Sequence, residues 1–410
     1  MPLIGVALML PSRYGRIPRF TLAGAPQERG RQYGEQAAGL IARAVEIYRD
    51  WFSWYAGVSW SDALAGAGRM AEHMRSHCPD LLAEMRGIAA GSGQPEAAVI
   101  AINARTEIAY GLGLAQRFGG ANEGASEGCT SWAILPEHTA GLGILCGQNW
   151  DFLAACMELR VALHICFADG FEVLTFCEAG QVGKIGFNSA GLVVCLNLLA
   201  TLADGDAGVP VHALCRLALE QRHLSGPVRV ISAVPRAASS NLLIGRGCPG
   251  GSGEALDIEY SPVSCEVLAP EAGLLVHTNH FLVPPGATTD QALLRDGSKS
   301  TFVRQMRGAG LAREAIWQTA SSTGGGVSAL DMHRIQADHF DHPYSICAHV
   351  SGLPGEVGQT NLAFMAAPSR AEFWLSDGPP CGEGREGPAF VRYDMPWAGS
   401  SGWLRPAKDG

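Results

Sequence analysis

The apolar positions of this chain change their period once, and the change divides it. Over residues 19–112 they recur every three to four positions, the spacing of one helix face. Ala25-Pro26 opens an amphipathic segment running to about Tyr55, with Ile41, Val45, Tyr48 and Phe52 on one stripe. Pro79 suits a first helical turn after Cys78; Leu81, Leu82, Met85 and Ile88 mark its buried face, and Gly91 is the expected stop. Gln94-Pro95 begins a further helix carrying Asn103, Arg105 and Glu107. Arg105 and Glu107 stand two apart and cannot face each other on a helix, so each needs another partner. The three read equally as a solvated face.

Between Gly111 and Gly128 the large apolar residues thin out in favour of Gly, Ala, Asn, Ser and Glu, which predicts a linker and a boundary ending at Cys129. Beyond it the runs become short and strand-like. Residues 132–135 and 142–146 read as a first pair. Residues 160–168 and 171–178 flank Asp169-Gly170, the signal of a two-residue type I′ hairpin. Residues 182–187 and 192–196 make a second hairpin. Helices are expected over 210–223 and 227–234, strands over 241–245, 255–260, 263–268 and 274–277. Helices follow over 298–306, 312–319 and 328–336, then strands over 344–350, 361–365 and 372–375. The Gly/Pro-rich tail from Ser376 reads as irregular, and no internal repeat is seen. Strands, helices and strands again imply an α+β fold of antiparallel sheets with helices packed outside.

Length and charge narrow the function. The 410 residues are 47% hydrophobic and 17% charged, a core-rich globular balance. Net charge is 30 − 39 = −9 with no dense basic block, which argues against nucleic acid or anionic membrane as partner. The apolar start lacks a preceding basic region, so no signal peptide is expected. The longest apolar stretch, 190–203, is broken by Asn197 and too short to span a bilayer. Twelve cysteines without Cys-x-x-Cys or zinc spacing suit a reducing cytoplasm, with no metal site and no bound cofactor expected.

The chemistry concentrates in Glu127-Gly128-Cys129-Thr130-Ser131-Trp132 and Gly147-Gln148-Asn149-Trp150-Asp151-Phe152. If Cys129 begins a strand and Asp151 follows its hairpin partner, both stand at one end of a sheet. A thiol is the strongest side-chain nucleophile, but only as thiolate, and so needs a base. Five histidines are available: His277, His280, His339, His342 and His349. The other route frees the α-amine of Cys129 itself by cleavage before it. Gly128 suits that route, because a residue without Cβ lets the thiol approach its carbonyl.

With these residues in view, Glu127-Gly-Cys-Thr-Ser and Gly147-Gln-Asn-Trp-Asp151 resemble the acyl-coenzyme A:isopenicillin N acyltransferases, self-processing N-terminal-nucleophile enzymes. The similarity extends to Gln27-Glu-Arg-Gly30, Asn103-Ala-Arg-Thr-Glu107, Gly186-Phe-Asn-Ser-Ala-Gly-Leu192, His277-Thr-Asn-His280 and Tyr344-Ser-Ile-Cys347. It implies a four-layer αββα fold over 129–410, with 1–128 a helical, cleaved but retained subunit. Cys129 would attack first Gly128 and then an amide or thioester of a small N-acyl compound, with acyl-coenzyme A a possible donor. Asp151 would orient the free amine and Asn279 would stabilise the oxyanion. Thr130, Asn149, Arg105 and His349 are supporting candidates. Two rival readings are an unprocessed thiol hydrolase pairing Cys129 with His349 or His280, and a non-catalytic binding protein on the same fold. Where the family often carries an arginine after Ser-Ile-Cys, this chain has Ala348, so the thiol lacks one nearby positive charge unless another cation fills the gap, with Arg105 and Arg304 as candidates.

Overall fold

Strands apolar on both faces must lie between layers, and the strands around Cys129 are of that kind. The computed structural model describes residues 13–113, 128–295, 299–320, 325–352, 358–383 and 389–398. In it β3 (Cys129–Ile134) and β4 (Leu145–Leu153) are buried along their whole length. They belong to a six-stranded sheet ordered β12 (Leu274–His277), β3, β4, β13 (Gly358–Ala367), β14 (Glu372–Ser376), β15 (Val391–Asp394). Against it packs a nine-stranded sheet ordered β1 (Arg13–Tyr14), β2 (Ile17–Ala23), β5 (Arg160–Cys166), β6 (Glu172–Glu178), β7 (Ile185–Asn188), β8 (Leu192–Leu198), β9 (Ser240–Gly247), β10 (Gly253–Tyr260), β11 (Cys265–Leu268).

Helices close both outer faces. α9 (Ser300–Ala320) and α10 (Ala329–Gln336) cover the six-stranded sheet through Val276, Ala309, Ala312, Met332 and Ile335. The other sheet shares a core with α1 (Pro26–Gln36), α2 (Ala38–Trp51), α3 (Trp60–His77), α4 (Pro79–Ser92), α5 (Glu96–Asn103) and α6 (Val211–Leu219). Short helices α7 (Ser225–Ser232) and α8 (Ala292–Arg295) complete the set. The chain therefore forms the α+β, four-layer αββα sandwich expected from its sequence.

Several elements differ from expectation. The N-terminal part is not helical throughout: β2 enters the large sheet parallel to β5, while the pairs around it are antiparallel. The stripe from Ala25 to Tyr55 divides at Ala37, and Phe52–Ala56 and Glu107–Leu112 wind as π-helix. Gln148-Asn149-Trp150-Asp151 lies inside β4 rather than beyond it, because the strand is buried on both faces and shows no alternation. At Asp169-Gly170 just the glycine has positive φ, and Gly170 N–H reaches Phe167 O, so the turn is type I with a left-handed glycine. Residues 300–320 form one helix, not two. Residues 344–350 form turns rather than a strand, and the tail supplies edge strand β15. The linker expected over 111–128 falls mostly outside the described residues.

Asn103, Arg105 and Glu107 are buried, not solvated, and tie the first part of the chain to the second. Asn103 donates to Gly180 O (2.8 Å) and accepts from Val182 N–H (2.9 Å). Glu107 accepts from Val211 N–H at the start of α6 (2.7 Å), and burial pushes its carboxyl up to about 7. Glu84 of α4 accepts from Arg29 of α1 (2.9 Å) and Arg216 of α6 (2.9 Å), all three buried. Removing one member of such a group leaves buried charge uncompensated, a loss of about 3–5 kcal/mol.

α1 and α4 cross at backbone contact, with glycines four apart on each. A Cβ at Gly30 would fall on Glu84 O and at Gly34 lie 2.5 Å from Ile88 O; one at Gly87 would fall on Gln27 O and at Gly91 on Arg31 O. Gly91 is thus a packing residue, and the helix ends at Gly93 in the left-handed region. Gly87→Ala should destabilise by at least about 1–3 kcal/mol, since backbone cannot yield as a side chain can. Gly68→Ala in α3, which meets nothing within 4 Å, should instead gain about 0.5–1 kcal/mol. Paired urea titrations check both signs.

Candidate active site

The register of β3 on β4 sets Cys129 opposite Trp150, Thr130 opposite Asn149 and Ser131 opposite Gln148. The pairing continues one step outward, where Asp151 N–H donates to Gly128 O at 2.8 Å. The other neighbour of β4 is β13, whose register shifts between Thr360 and Leu362. This irregularity leaves Thr360 opposite Asp151, with Thr360 Oγ1 donating to Asp151 Oδ1 at 2.6 Å. Gly128 fits because it has no side chain: a Cβ there would sit 2.8 Å from Asp151 Oδ2 and 3.5 Å from Arg304 Nη2.

Cys129 is 6% exposed and held from three sides. Its N–H donates to Asn279 Oδ1 (2.8 Å). Its carbonyl accepts from Arg304 Nη1 (2.6 Å) and Asn197 Nδ2 (3.0 Å). Arg304, on α9, also donates to Asn279 Oδ1 (3.0 Å), Thr130 Oγ1 (3.1 Å) and Ser300 Oγ (3.2 Å). The Asn279 amide thus meets the cysteine nitrogen through its oxygen, while Nδ2 donates to Leu198 O (3.0 Å). Of the two arginines considered for the charge that Ala348 lacks, Arg304 lies at the cysteine backbone. Burial pushes the Asp151 carboxyl up to about 7, opposed by the Arg304 charge and the Thr360 hydrogen bond.

A narrow cleft opens beside the thiol between Trp150, Leu196, Leu198 and Val211, with Arg105 and Lys184 in its wall. The Lys184 ammonium lies 3.7 Å from the Trp150 ring centre and the Arg105 guanidinium 4.1 Å from that of Phe152. Both approach Glu178 Oε1, at 3.5 and 3.6 Å. Arg105, Lys184 and Glu178 thus bring buried charges of both signs to this wall.

Other expected residues stand elsewhere. Asn149 donates to Gln336 O (2.9 Å) and Ile346 O (2.7 Å), anchoring the layer outside the small sheet. His349 Nε2 lies near His339, Cys347 and Cys381. His280 Nδ1 lies 2.9 Å from Thr301 Oγ1, and His277 Nε2 lies 2.6 Å from Glu259 Oε1. Arg304 and Asn197 join the site at the Cys129 carbonyl, and Thr360 joins it at Asp151. Asn197 leaves a trace in the sequence as the polar break in its longest apolar run; Thr360 leaves none.

The Asp151 shift has a sign that can be tested. The folded state binds this proton more tightly than an unfolded chain, whose carboxyl titrates near 3.8. Stability carried by the protonated form is therefore lost as pH rises from about 4 through about 7. Asp151→Asn does not titrate, so its melting temperature relative to wild type should rise between pH 5 and pH 8. A difference constant across that range would show that Asp151 titrates normally.

Comparison with known proteins identifies the family. Residues 139–310 match the family model described as acyl-coenzyme A:6-aminopenicillanic acid acyl-transferase. The acyl-coenzyme A:6-aminopenicillanic-acid-acyltransferase 40 kDa form of Emericella nidulans is 32% identical over 274 residues, covering 66% of this chain and 71% of the relative. Among solved structures, a variant of conjugated bile acid hydrolase from Clostridium perfringens aligns at TM-score 0.44, with 12% identity over 65% of this chain and 92% of that one. Penicillin V acylase from Agrobacterium tumefaciens aligns at 0.40, with 13% identity over 65% and 86%. Likeness at that level carries no argument, and the assignment rests on the sequence relative: this chain belongs to the acyl-coenzyme A:6-aminopenicillanic acid acyltransferase family.

Proposed function

We propose that the chain cuts itself between Gly128 and Cys129 and then acts as a cysteine amidase or acyltransferase on small N-acyl compounds. The observation that carries this reading is the Asp151 N–H on the Gly128 carbonyl, 2.8 Å away, beside the buried thiol of Cys129. That N–H polarises the carbonyl to be attacked and would stabilise its oxyanion. The thiol sulfur bonds to the Gly128 carbon, the C–N bond breaks, and the Cys129 nitrogen takes up a proton. With its carboxyl near 7, Asp151 is suited to carry that proton from sulfur to nitrogen at neutral pH. Water then hydrolyses the thioester, releasing the Gly128 carboxylate and the thiol.

The freed α-amine becomes the base for turnover, with Asp151 orienting it. It takes the thiol proton as sulfur attacks an amide or thioester carbonyl and returns it to the leaving group. Water or an amine then takes the acyl group. Asn279, whose Oδ1 accepts from the Cys129 N–H, is the proposed oxyanion donor, a role that requires its amide to turn away from Leu198 O. The Emericella relative's name carries acyl-coenzyme A and 6-aminopenicillanic acid, which supports an acyl thioester as donor here.

Residues 1–128 would remain as a retained subunit, for which β2, Asn103, Glu107 and the Glu84–Arg216 pair supply the attachment. Among the described residues no helix is long and apolar enough to cross a membrane. All twelve cysteines are free thiols, which supports a cytoplasmic setting.

Purified wild-type protein should give two masses, for 128 and 410 − 128 = 282 residues, with Cys129 at the new N-terminus. The pieces should part only in denaturant. Cys129→Ala should stay whole, and Gly128→Ala should mature slowly, because its Cβ meets Asp151. A chain that stays whole, or is cut elsewhere, refutes the reading. In the mature enzyme, Asn279→Ala should lower kcat by about 10²–10³ with little loss of melting temperature. Unchanged kinetics in folded protein would make Asn279 a structural residue.

A further inference from the structure

We propose that His339, Cys347, His349 and Cys381 form a binding site for a tetrahedrally coordinated divalent ion, zinc by preference. Their four ligand atoms all lie within 4.8 Å of one another. His339 Nε2 and His349 Nε2 are 3.1 Å apart, Cys347 Sγ is 3.4 Å from His349 Nε2, and Cys381 Sγ is 3.6 Å from it. Bonds of ordinary zinc length around a tetrahedral centre give edges of about 3.3 Å between two nitrogens and about 3.6 Å between nitrogen and sulfur. The three separations to His349 Nε2 lie within about 0.2 Å of these edges.

Hydrogen bonding does not account for the arrangement. An imidazole nitrogen carries one proton or one lone pair, so His349 Nε2 satisfies one partner, yet three groups converge on it. A cation at the centre satisfies all four at once. The far nitrogen of the same ring is also prepared, since His349 Nδ1 lies 3.3 Å from Glu383 Oε2. A carboxylate there fixes the tautomer that turns the Nε2 lone pair inward. His339 is exposed, which leaves an entry path.

The ligands lie on two segments that lack helix and strand: the turns over 337–350 and the turn at Cys381 after β14. Cys381 is 32 residues beyond His349, so no short zinc-type spacing appears in the sequence. The ion would clamp the two segments together. Ala348, between two ligands, donates its N–H to Thr360 Oγ1 (3.0 Å) and accepts from Thr360 N–H (3.0 Å). That hydroxyl donates to Asp151 Oδ1. The clamp would thus hold the peptide that orients Thr360 against Asp151, a positioning role outside the chemistry.

The test uses untagged full-length protein. Elemental analysis should find one zinc per chain. After its removal, cobalt(II) should give thiolate-to-cobalt charge transfer and the intense visible bands of a tetrahedral centre. Both should be lost in Cys381→Ser and in His339→Asn, and kept in Cys129→Ala, whose failure to mature would bear on self-cleavage instead. If either ligand variant does not fold, X-ray absorption on the cobalt-loaded wild type must show two sulfurs and two nitrogens. A cobalt spectrum that is absent, or unchanged in both folded ligand variants, overturns the proposal. So does a different coordination shell, or a Cys347–Cys381 disulfide in protein purified without air.

Discussion

The antiparallel register of β3 on β4 is the constraint on which the candidate site depends. It brings Asp151 N–H to the Gly128 carbonyl and aligns the end of β4 with the start of β3. A slip of one residue would send every side chain of β3 to the opposite face. The register is locked from the facing sheet. Gln148 donates to Leu196 O and accepts from Leu196 N–H, like an added peptide group. Ser131 Oγ donates to Asn197 Oδ1, and Asn197 reaches the carbonyls of Cys129 and His277. These buried polar groups find their partners at one offset of the two sheets, so satisfying them fixes the strand positions.

A second constraint is electrical. Asp151, Arg304, Arg105, Lys184 and Glu178 are all buried, where an isolated ion is strongly disfavoured. Arg304 is compensated by four acceptors, among them the Cys129 carbonyl and Asn279 Oδ1. Asp151 is less fully compensated, and desolvation outweighs the arginine's attraction, which is why its carboxyl moves to about 7. A carboxylate better paired with Arg304 would stay ionised at neutral pH and could not exchange protons. The incomplete compensation of Asp151 destabilises the fold, and in the proposed mechanism it is what lets the group exchange a proton near neutral pH.

What is legible in the sequence follows from which interactions are local. Helices with one apolar stripe, hairpins closed by glycine and the capping box of Ser328 and Asp331 are written in neighbouring residues. Cys129 and Asp151 are also legible, because one hairpin carries both. Arg304 is legible as a basic candidate but not as a neighbour of Cys129, since 175 residues separate them. β2 escapes because Ile17–Ala23 is short and half-buried, and its partner β5 lies far along the chain. Residues 344–350 read as strand from their apolar positions, but the backbone hydrogen bonds there go to turns and to Thr360. The four metal-type ligands escape because the fourth, Cys381, lies 32 residues beyond His349 and leaves the spacing of the other three incomplete.

The change of hydrophobic period at Cys129 marks a boundary in the chain but not in the packing. β2 lies within the nine-stranded sheet, and Tyr33, Tyr48 and Asn103 bond to residues 178–182 of the strand and loop beyond it. Glu84 stands between an arginine from each side of the boundary. Pulling the two parts apart would expose these groups together with the apolar faces of α2, α5 and α6, at far greater cost than one backbone bond's constraint can offset. If the chain is cut at Gly128 as proposed, these contacts would hold the two parts together. A bond that the folded state does not need is one the site could break without unmaking itself, as the proposed cut before Cys129 requires.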